Sequence, residues 1–504
     1  MLYLGIDLGT SSVKLLLCDE QANILCAHSE SYPIMYPKDG WSEQNPRDWW
    51  KAVTRGISAI GMDYPLKDIA ALSFGGQMHG LVALDKEQEV IRPAILWNDG
   101  RTTRQVDYLN NTVGTDFLIR ETGNIAYAGF TATKILWLKD NEPENFSRIR
   151  HILLPKDYLA HRFTGGFSTD YSDASGMLLL DVKNRRWSDA MLEICGIEET
   201  MMPTLYESFE SVGVVLPSVA QELGLSTDCV VAAGAGDNAA AAIGTGTMGD
   251  ARCNLSIGTS GTLFISSEQF IPMRQSELHS FCHADGTYHV MGCILSAASC
   301  NRWWIEDILQ SPYDEDARVI AAEANQRLGE NRVFYMPYMM GERSPLNDEK
   351  VRGGLIGLSM QTDRVAIQQA IFEGVAFALR DCLEAAREQG LIVNQATITG
   401  GGAKSQIWKT ILANVLNLKI VEPAIQEGPA LGAVFLAMWS KGVIVSVEDV
   451  QKRLAHLSVA RDGETDRADE FVPDPVFVER YERRYRQYAK LYPALRQFYQ
   501  TLSE

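Results

Sequence analysis

Positive charge is scarce in this chain. Its 504 residues carry 46 Lys and Arg against 64 Asp and Glu, a formal net charge of −18, and the pI is about 5.0. Such a balance argues against a nucleic-acid backbone or an anionic membrane surface as partner. It does not exclude a neutral or anionic small ligand, which local backbone amides can hold. Paired cysteines are also missing: none of the nine falls in a CxxC pair. Scattered thiols in odd number suit a reducing, cytoplasmic setting. Cys282 beside His283 reads as buried packing. No run of about 18 apolar residues occurs, so no transmembrane helix is expected. The start, MLYLGIDLG, has no basic region and no cleavage site, so no export signal is expected. What is left is an ordinary globular composition, 46% hydrophobic and 22% charged. The length exceeds what one core can fill, so two or more domains are expected.

The stretch Val230–Gly246, VVAAGAGDNAAAAIGTG, organises the reading. Val230 and Val231 end a β-branched run with strand character. Gly234 and Gly236 then break it, leaving no side chain in the way of a ligand. Asp237 follows, ahead of an alanine-rich helix, and is read as its N-cap. That places a carboxylate at a strand end, where α/β folds bind ligands. A plain cap is the alternative. The two glycines favour function, since a cap needs no bare backbone before it.

Leu2–Asp7 alternates as a strand, Gly9-Thr10-Ser11-Ser12 turns, and Val13–Cys18 returns. The turn's amides and hydroxyls suit a phosphate, and Asp7 beside it suits Mg²⁺, a hard cation that prefers oxygen. An ordinary hairpin would look the same. The pattern recurs, however, in Asn254–Phe264, NLSIGTSGTLF, about 250 residues later. Two such hairpins, each heading half of the chain, predict two similar domains, 1–247 and 248–504, facing across a cleft.

Between them, Asn45 and Pro46 mark a helix start after the loop Trp41–Gln44. Ile69–Phe74 reads as a strand ending in GGQMHG, with Gln77 and His79 as its polar groups; His79 is structural or functional on equal grounds. Asp99 and Arg101 bind hydroxyls or pair on the surface. Thr133–Leu138 and Leu153–Leu159 begin helices, the second capped by Gly165. Thr169–Gly176 is polar and turn-rich. In the second half, Phe334–Pro345 (FYMPYMMGERSP) reads as packing. Asp363–Gln389 is a long amphipathic helix. Ala396–Thr399, Gly400–Ser405 and a helix from about Ile407 give strand, glycines, helix, which admits a nucleotide near backbone, although that stretch is neither a P-loop nor GxGxxG. Pro429 opens one more helix, in which Gly432 permits close packing. Arg461–Glu470 reads as a solvated loop. Phe477, Tyr481, Tyr485, Tyr488 and Tyr492 form a helical stripe expected in a core or a subunit contact.

With these motifs placed, the chain resembles the FGGY carbohydrate kinases and, within them, the bacterial-type xylulokinases, from Leu4 to about Met438. The motifs are IDLGTSSVK (Ile6–Lys14), SIGTSGT (Ser256–Thr262), TGGGAKS (Thr399–Ser405) and GFTATKILWLKDN (Gly129–Asn141). The second family signature falls on Gly353–Glu373, with Ala366 where a polar residue is usual, read as a surface change. WSEQNP, GGQMHG and LLPKDYL narrow the subfamily. The resemblance implies an α/β fold of two ribonuclease-H-like, actin/Hsp70-type domains around a nucleotide-binding cleft. It implies ATP-dependent phosphorylation of D-xylulose, with Asp237 as general base and Asp7 with Asp237 at Mg²⁺. Sugar contacts would come from Met78, His79, Gln77, Trp41, Asp237 and Asn238. ATP contacts would come from Gly9, Thr10, Ser11 and Lys14, from Gly258, Thr259 and Ser260, and from Gly401, Gly402, Ala403 and Lys404. Family habit and the tyrosine stripe suggest a homodimer. The alternatives are another substrate (L-ribulose, gluconate, glycerol) or a non-catalytic actin-like ATP-binding protein.

Overall fold

The computed structural model describes residues 1–273, 278–311, 328–423, 425, 427–461 and 470–502. Most of the loop expected at 461–470 lies outside them. The strands gather into two seven-stranded sheets and several two-stranded ones. In the first sheet the hairpin Leu2–Leu8/Ser12–Asp19 is antiparallel, with Ile24–Ser31 beside it. Ile69–Gly76 joins Leu2–Leu8 in parallel, and Val230–Ala232 joins Ile69–Gly76 in parallel. The second sheet repeats this order. The hairpin Cys253–Ile257/Gly261–Ser267 is followed outward by Tyr288–Ile294, while Gln395–Thr399 and then Lys419–Val421 add in parallel on the other side. The sequence echo between the two hairpins is therefore a duplicated topology.

Local signals hold where they were strong. Asn45 caps the helix Pro46–Ile60 by accepting from the Arg47 amide, with Pro46 in the first turn. One face of that helix, with Trp49, Val53 and Ile57, is buried with the first sheet. Gly165, at φ 74°, closes the helix Pro155–Thr164. Asp363 caps the 25-residue helix Arg364–Glu388. Ala366 lies in the first turn of that helix and is half-buried, not fully at the surface.

The tyrosine stripe is used inside the chain. Tyr481 and Tyr488 are buried in the second-half core, and the Tyr488 ring lies 5.1 Å from that of Phe377. It therefore gives no ground for a subunit contact.

One helix crosses between the halves. Gly428–Ser440 follows six of the second sheet's seven strands in sequence, yet Leu431, Val434 and Phe435 are buried with Tyr3, Leu16 and Ala71 of the first. Glycines allow this approach. A Cβ on Gly432 would run into the Ala240 carbonyl, and one on Gly5 into the Ala430 carbonyl, each nearer than 3.0 Å. The expected role of Gly432 is thus observed, against the helix that begins at Asp237.

Candidate active site

Parallel pairing delivers the site. Asp7 and Ala235 both lie opposite Gly75, and Leu8 and Gly236 opposite Gly76. The three chain segments end together, so Asp7, the loop Gln77–Gly80 and Asp237 emerge at one edge of the sheet. Ligand sites of α/β sheets form at such strand ends. Two details differ from the sequence reading. Asp237 is the first residue of the helix Asp237–Gly244, and Gly236 is the cap. Its Oδ1 accepts the Asn238 amide at 2.7 Å and the Asn238 side chain at 3.0 Å. Gly234 and Gly236 are bare for packing, not for a ligand: a Cβ would stand 2.5 Å from the Phe74 carbonyl in one case and 2.9 Å from Met78 Cγ in the other.

A cavity of about 500 Å³ opens here. It is lined by Asp7, Lys14, Asp237 and Asn238 from the first half, and by Gly401 and Lys404 from the second. Ser256 and Thr262, cross-strand partners in the second hairpin as Asp7 and Lys14 are in the first, also line it. Asn254, Thr399 and Glu427 line it too. Ser256, Thr262 and Thr399 fall inside the motifs SIGTSGT and TGGGAKS without being singled out there. The hairpin repeat read one pair beyond the turn points to Ser256 and Thr262, whereas Thr399 and Glu427 lie outside that repeat. The two carboxylates lie in an unfavourable field. Burial raises Asp237 to about 6. Burial, and then the Asp237 charge, raise Asp7 to about 7, with Lys14 opposing. Two partly desolvated carboxylates whose charges repel form a good seat for a divalent cation. Among the described residues no group of three or more His, Cys, Asp or Glu could hold a metal. A pair of carboxylate donors is chemically compatible with Mg²⁺, which takes one or two carboxylates and fills the rest of its shell with phosphate and water.

The GGQMHG loop is anchored tightly. His79 adopts φ 67°. Its carbonyl accepts from Lys134 Nζ at 2.8 Å and from the Thr131 hydroxyl at 3.1 Å. Both donors stand on the helix Thr131–Asn141, which gives the GFTATK motif a physical task. His79 Nδ1 lies 2.7 Å from the Gly176 carbonyl, so Nδ1 carries the hydrogen and Nε2 keeps its lone pair. Burial, with the Arg343 charge next, lowers its pKa to about 3, so the ring is neutral. Met78 is buried and packs against Gly236, beside Asp237. Gln77 donates to Gln44 at 3.0 Å, while its own oxygen is buried without a partner among the described residues.

Other expected residues lie elsewhere. Trp41 stacks edge-on with Trp137 and lies beneath Arg101. Arg101 pairs with Asp99 and Glu43 in the interior, not on the surface. The Thr10 hydroxyl accepts from the Trp97 indole, and the Gly9 carbonyl accepts from the Tyr32 hydroxyl. The turns Gly9–Ser11 and Gly258–Ser260 do not line the cavity, though their strands do. Lys14 is paired with Glu427. Gly402 and Ala403 are buried, Gly402 against Ile257.

The polar stretch Thr169–Gly176 is buried, not turn surface. Lys156 Nζ, fully enclosed, lies 2.7 Å from Asp157, 2.8 Å from Asp170 and 3.8 Å from Asp173. Asp170 also accepts from the Ser172 and Ser208 hydroxyls, and Ser172 in turn accepts from the Gly236 amide at 3.2 Å. A buried cation thus supports the residue preceding Asp237. Nothing in the spacing of LLPKDYL distinguishes such a lysine from a solvated one.

Comparison with known proteins agrees with this geometry. The model of the FGGY family of carbohydrate kinases, N-terminal domain, matches residues 2–244, and that of its C-terminal domain residues 253–441. The xylulose kinase of Escherichia coli (strain K12) is 43% identical over 438 residues, 86% of this chain and 89% of that one. The xylulose kinase of Bacillus subtilis (strain 168) is 36% identical over 492 residues, 97% and 96% of the two chains. Among solved structures, one described as a xyloylose kinase from Brucella ovis superposes with TM-score 0.90 at 38% identity, covering 99% of this chain and 100% of that chain. A ligand-bound xylulose kinase from Lactobacillus acidophilus gives 0.92 at 25% identity, covering 99% of each.

Proposed function

Because the chain belongs to the FGGY family of carbohydrate kinases, and is thus a sugar phosphotransferase, we propose that it transfers the γ-phosphoryl of ATP to D-xylulose, giving D-xylulose 5-phosphate. The observation that carries this is the shared cavity: two carboxylates raised by burial, Asp7 and Asp237, facing Gly401 and Lys404 across about 500 Å³, with Met78 packed against the residue before Asp237. The likeness to xylulose kinases along nearly the whole chain supports the choice of sugar. In this proposal the sugar-side domain is 1–247 and the nucleotide-side domain 248–504.

A sugar hydroxyl is a weak nucleophile because its pKa lies far above neutrality. Asp237, ionised above about pH 6, accepts that proton as the oxygen attacks the γ-phosphorus. Asn238 fixes the carboxylate by two hydrogen bonds to one oxygen, leaving the other for the sugar. Nε2 of His79 accepts from a second hydroxyl, and Met78 supplies an apolar wall. Mg²⁺ at Asp7 and Asp237 would neutralise phosphate charge. Gly401 lets the nucleotide lie close to backbone, and Lys404 offers a cation to its phosphates. Closure of the two halves excludes water, which would otherwise compete as acceptor. The non-catalytic reading falls with family membership. The homodimer now rests on the resemblance alone. No helix among the described residues is long and apolar enough to cross a membrane, and a cytoplasmic site of action is part of the proposal.

The test is sugar-dependent ADP release over D-xylulose, L-ribulose, D-ribulose, gluconate and glycerol. D-xylulose should give the highest kcat/KM by at least tenfold. A better substrate elsewhere in the panel would overturn the choice of sugar.

A further inference from the structure

The run Phe334–Pro345 reads from sequence as packing, and Tyr335, Met336 and Tyr338 are buried as that requires. Arg343 departs from it. Its backbone is pinned: the Arg343 amide donates to Glu342 Oε1 at 2.8 Å, the Leu295 amide donates to the same oxygen at 2.9 Å, and the Ser344 amide donates to the Cys293 carbonyl at 3.0 Å. From that fixed base the side chain leaves the second half and reaches the first. One Nη would stand 3.5 Å from a Cβ on Gly129, and Cζ lies 5.3 Å from the centre of the Tyr127 ring. Among the described residues no carboxylate pairs with it. A half-buried guanidinium presents five donors in a fixed fork and has none of them committed to a carboxylate here, so they are free to meet a ligand.

The surroundings are those of the sugar loop. Phe130, next to Gly129, stacks at 4.7 Å on His79. His279, on the second-half strand His279–Cys282, has its ring 5.0 Å from Tyr127 and 5.5 Å from Phe130. It is 1% exposed, and both ring nitrogens lack a partner among the described residues. Cys293, whose carbonyl holds the Arg343 loop, lies in the field of both Arg343 and Asp237. Arg343 and the unpartnered His279 ring, both from the second half, therefore meet the first-half residues that pack on the sugar loop.

We propose that Arg343 is a sugar-binding residue, whose guanidinium donates to the carbonyl end of an open-chain ketose while the other end meets Asp237. This inference rests on the sugar reading of the site above. It makes the sugar a bridge between the halves, since His79 and Asp237 hold it from one side and Arg343 from the other. A guanidinium also discriminates: it has donors and no acceptor, so it fully satisfies a ketone oxygen, whereas the pentitol hydroxyl in that place brings a proton that it cannot accept.

The test uses the full-length enzyme with Arg343→Gln and Arg343→Lys. D-xylulose is the probe, and the corresponding pentitols xylitol and D-arabitol are the controls. Arg343→Gln should raise the sugar KM by roughly 10- to 100-fold and leave the ATP KM unchanged. It should also lose most of the wild-type preference for ketose over pentitol. Arg343→Lys should recover part of both. An unchanged sugar KM, an intact ketose preference, or sugar and ATP KM rising together would overturn the proposal. Wild-type turnover on the sugar panel judges the substrate reading separately. Should the wild type prefer a ribulose there, that reading fails and the Arg343 variants are compared on that ketose; a preference for gluconate or glycerol would overturn both.

Discussion

Replacing Asp237 by Asn should make this protein both slower and more stable. In the folded chain its carboxyl is raised from 3.8 to about 6 by burial. At ~1.4 kcal/mol per pH unit, holding the ionised form in place costs ~3 kcal/mol above pH 6. The side chain is half-buried, so solvent screening reduces this to about 1–3 kcal/mol. The sign follows from linkage. A carboxyl raised in the folded state binds its proton more tightly there than in the unfolded chain. Stability is therefore full below pH 3.8 and declines as pH rises to about 6. Asn carries no charge at any pH, so the variant gains most at pH 7–8 and nothing near pH 3.8. Removing the charge also relieves Asp7, whose carboxyl is raised to about 7 partly by Asp237. Without Mg²⁺ or ATP, thermal melts at pH 8 should show a higher Tm for Asp237→Asn, and the difference should shrink on acidification. Turnover should fall by about 10² to 10⁴, the usual loss on removing a general base. Near-normal turnover would refute the base assignment. A lower Tm at pH 8 would refute the electrostatic account of the pair.

Three further outcomes are expected. His79→Ala should weaken sugar affinity by roughly tenfold or more, the loss of one well-placed acceptor, with ATP affinity unchanged; a sugar titration that matches wild type would place His79 outside the pocket. Gly432→Ala drives a methyl into the Ala240 carbonyl, a backbone contact with little room to yield; it should destabilise by about 1–3 kcal/mol or more, read as a lower urea midpoint, and an unchanged midpoint would mean the helices can part at no cost. Lys156→Met leaves Asp157, Asp170 and Asp173 without their shared cation; the loss should be about 3–5 kcal/mol, and Asp170→Asn in the same chain should restore part of it, whereas a stable single variant would show the cluster to be neutral.

The sequence alone was enough for features carried by a few neighbouring residues. The strand–Gly-Thr-Ser–strand pattern appears twice, and each copy is a hairpin because alternation and turn chemistry are local. Asn45 before Pro46 caps a helix for the same reason. Asp237 could be singled out because an acidic residue between a strand's glycines and an alanine run has few structural uses. Other features depended on which distant segments met. Gly234 and Gly236 are needed because Phe74 and Met78 press on them, and those contacts bridge more than 150 residues of chain. The tyrosine stripe shows one apolar face but not its partner; only folding against Arg364–Glu388 gives it to the core. Lys156 and Arg343 show the limit most clearly. Both are charged residues in ordinary local contexts, and one is enclosed by three carboxylates while the other has no ion pair among the described residues. Local spacing sets hydrophobic faces and turns, but the field around a charge is the sum over everything packed near it, and that sum exists only once the two halves and the crossing helix have closed around the cleft.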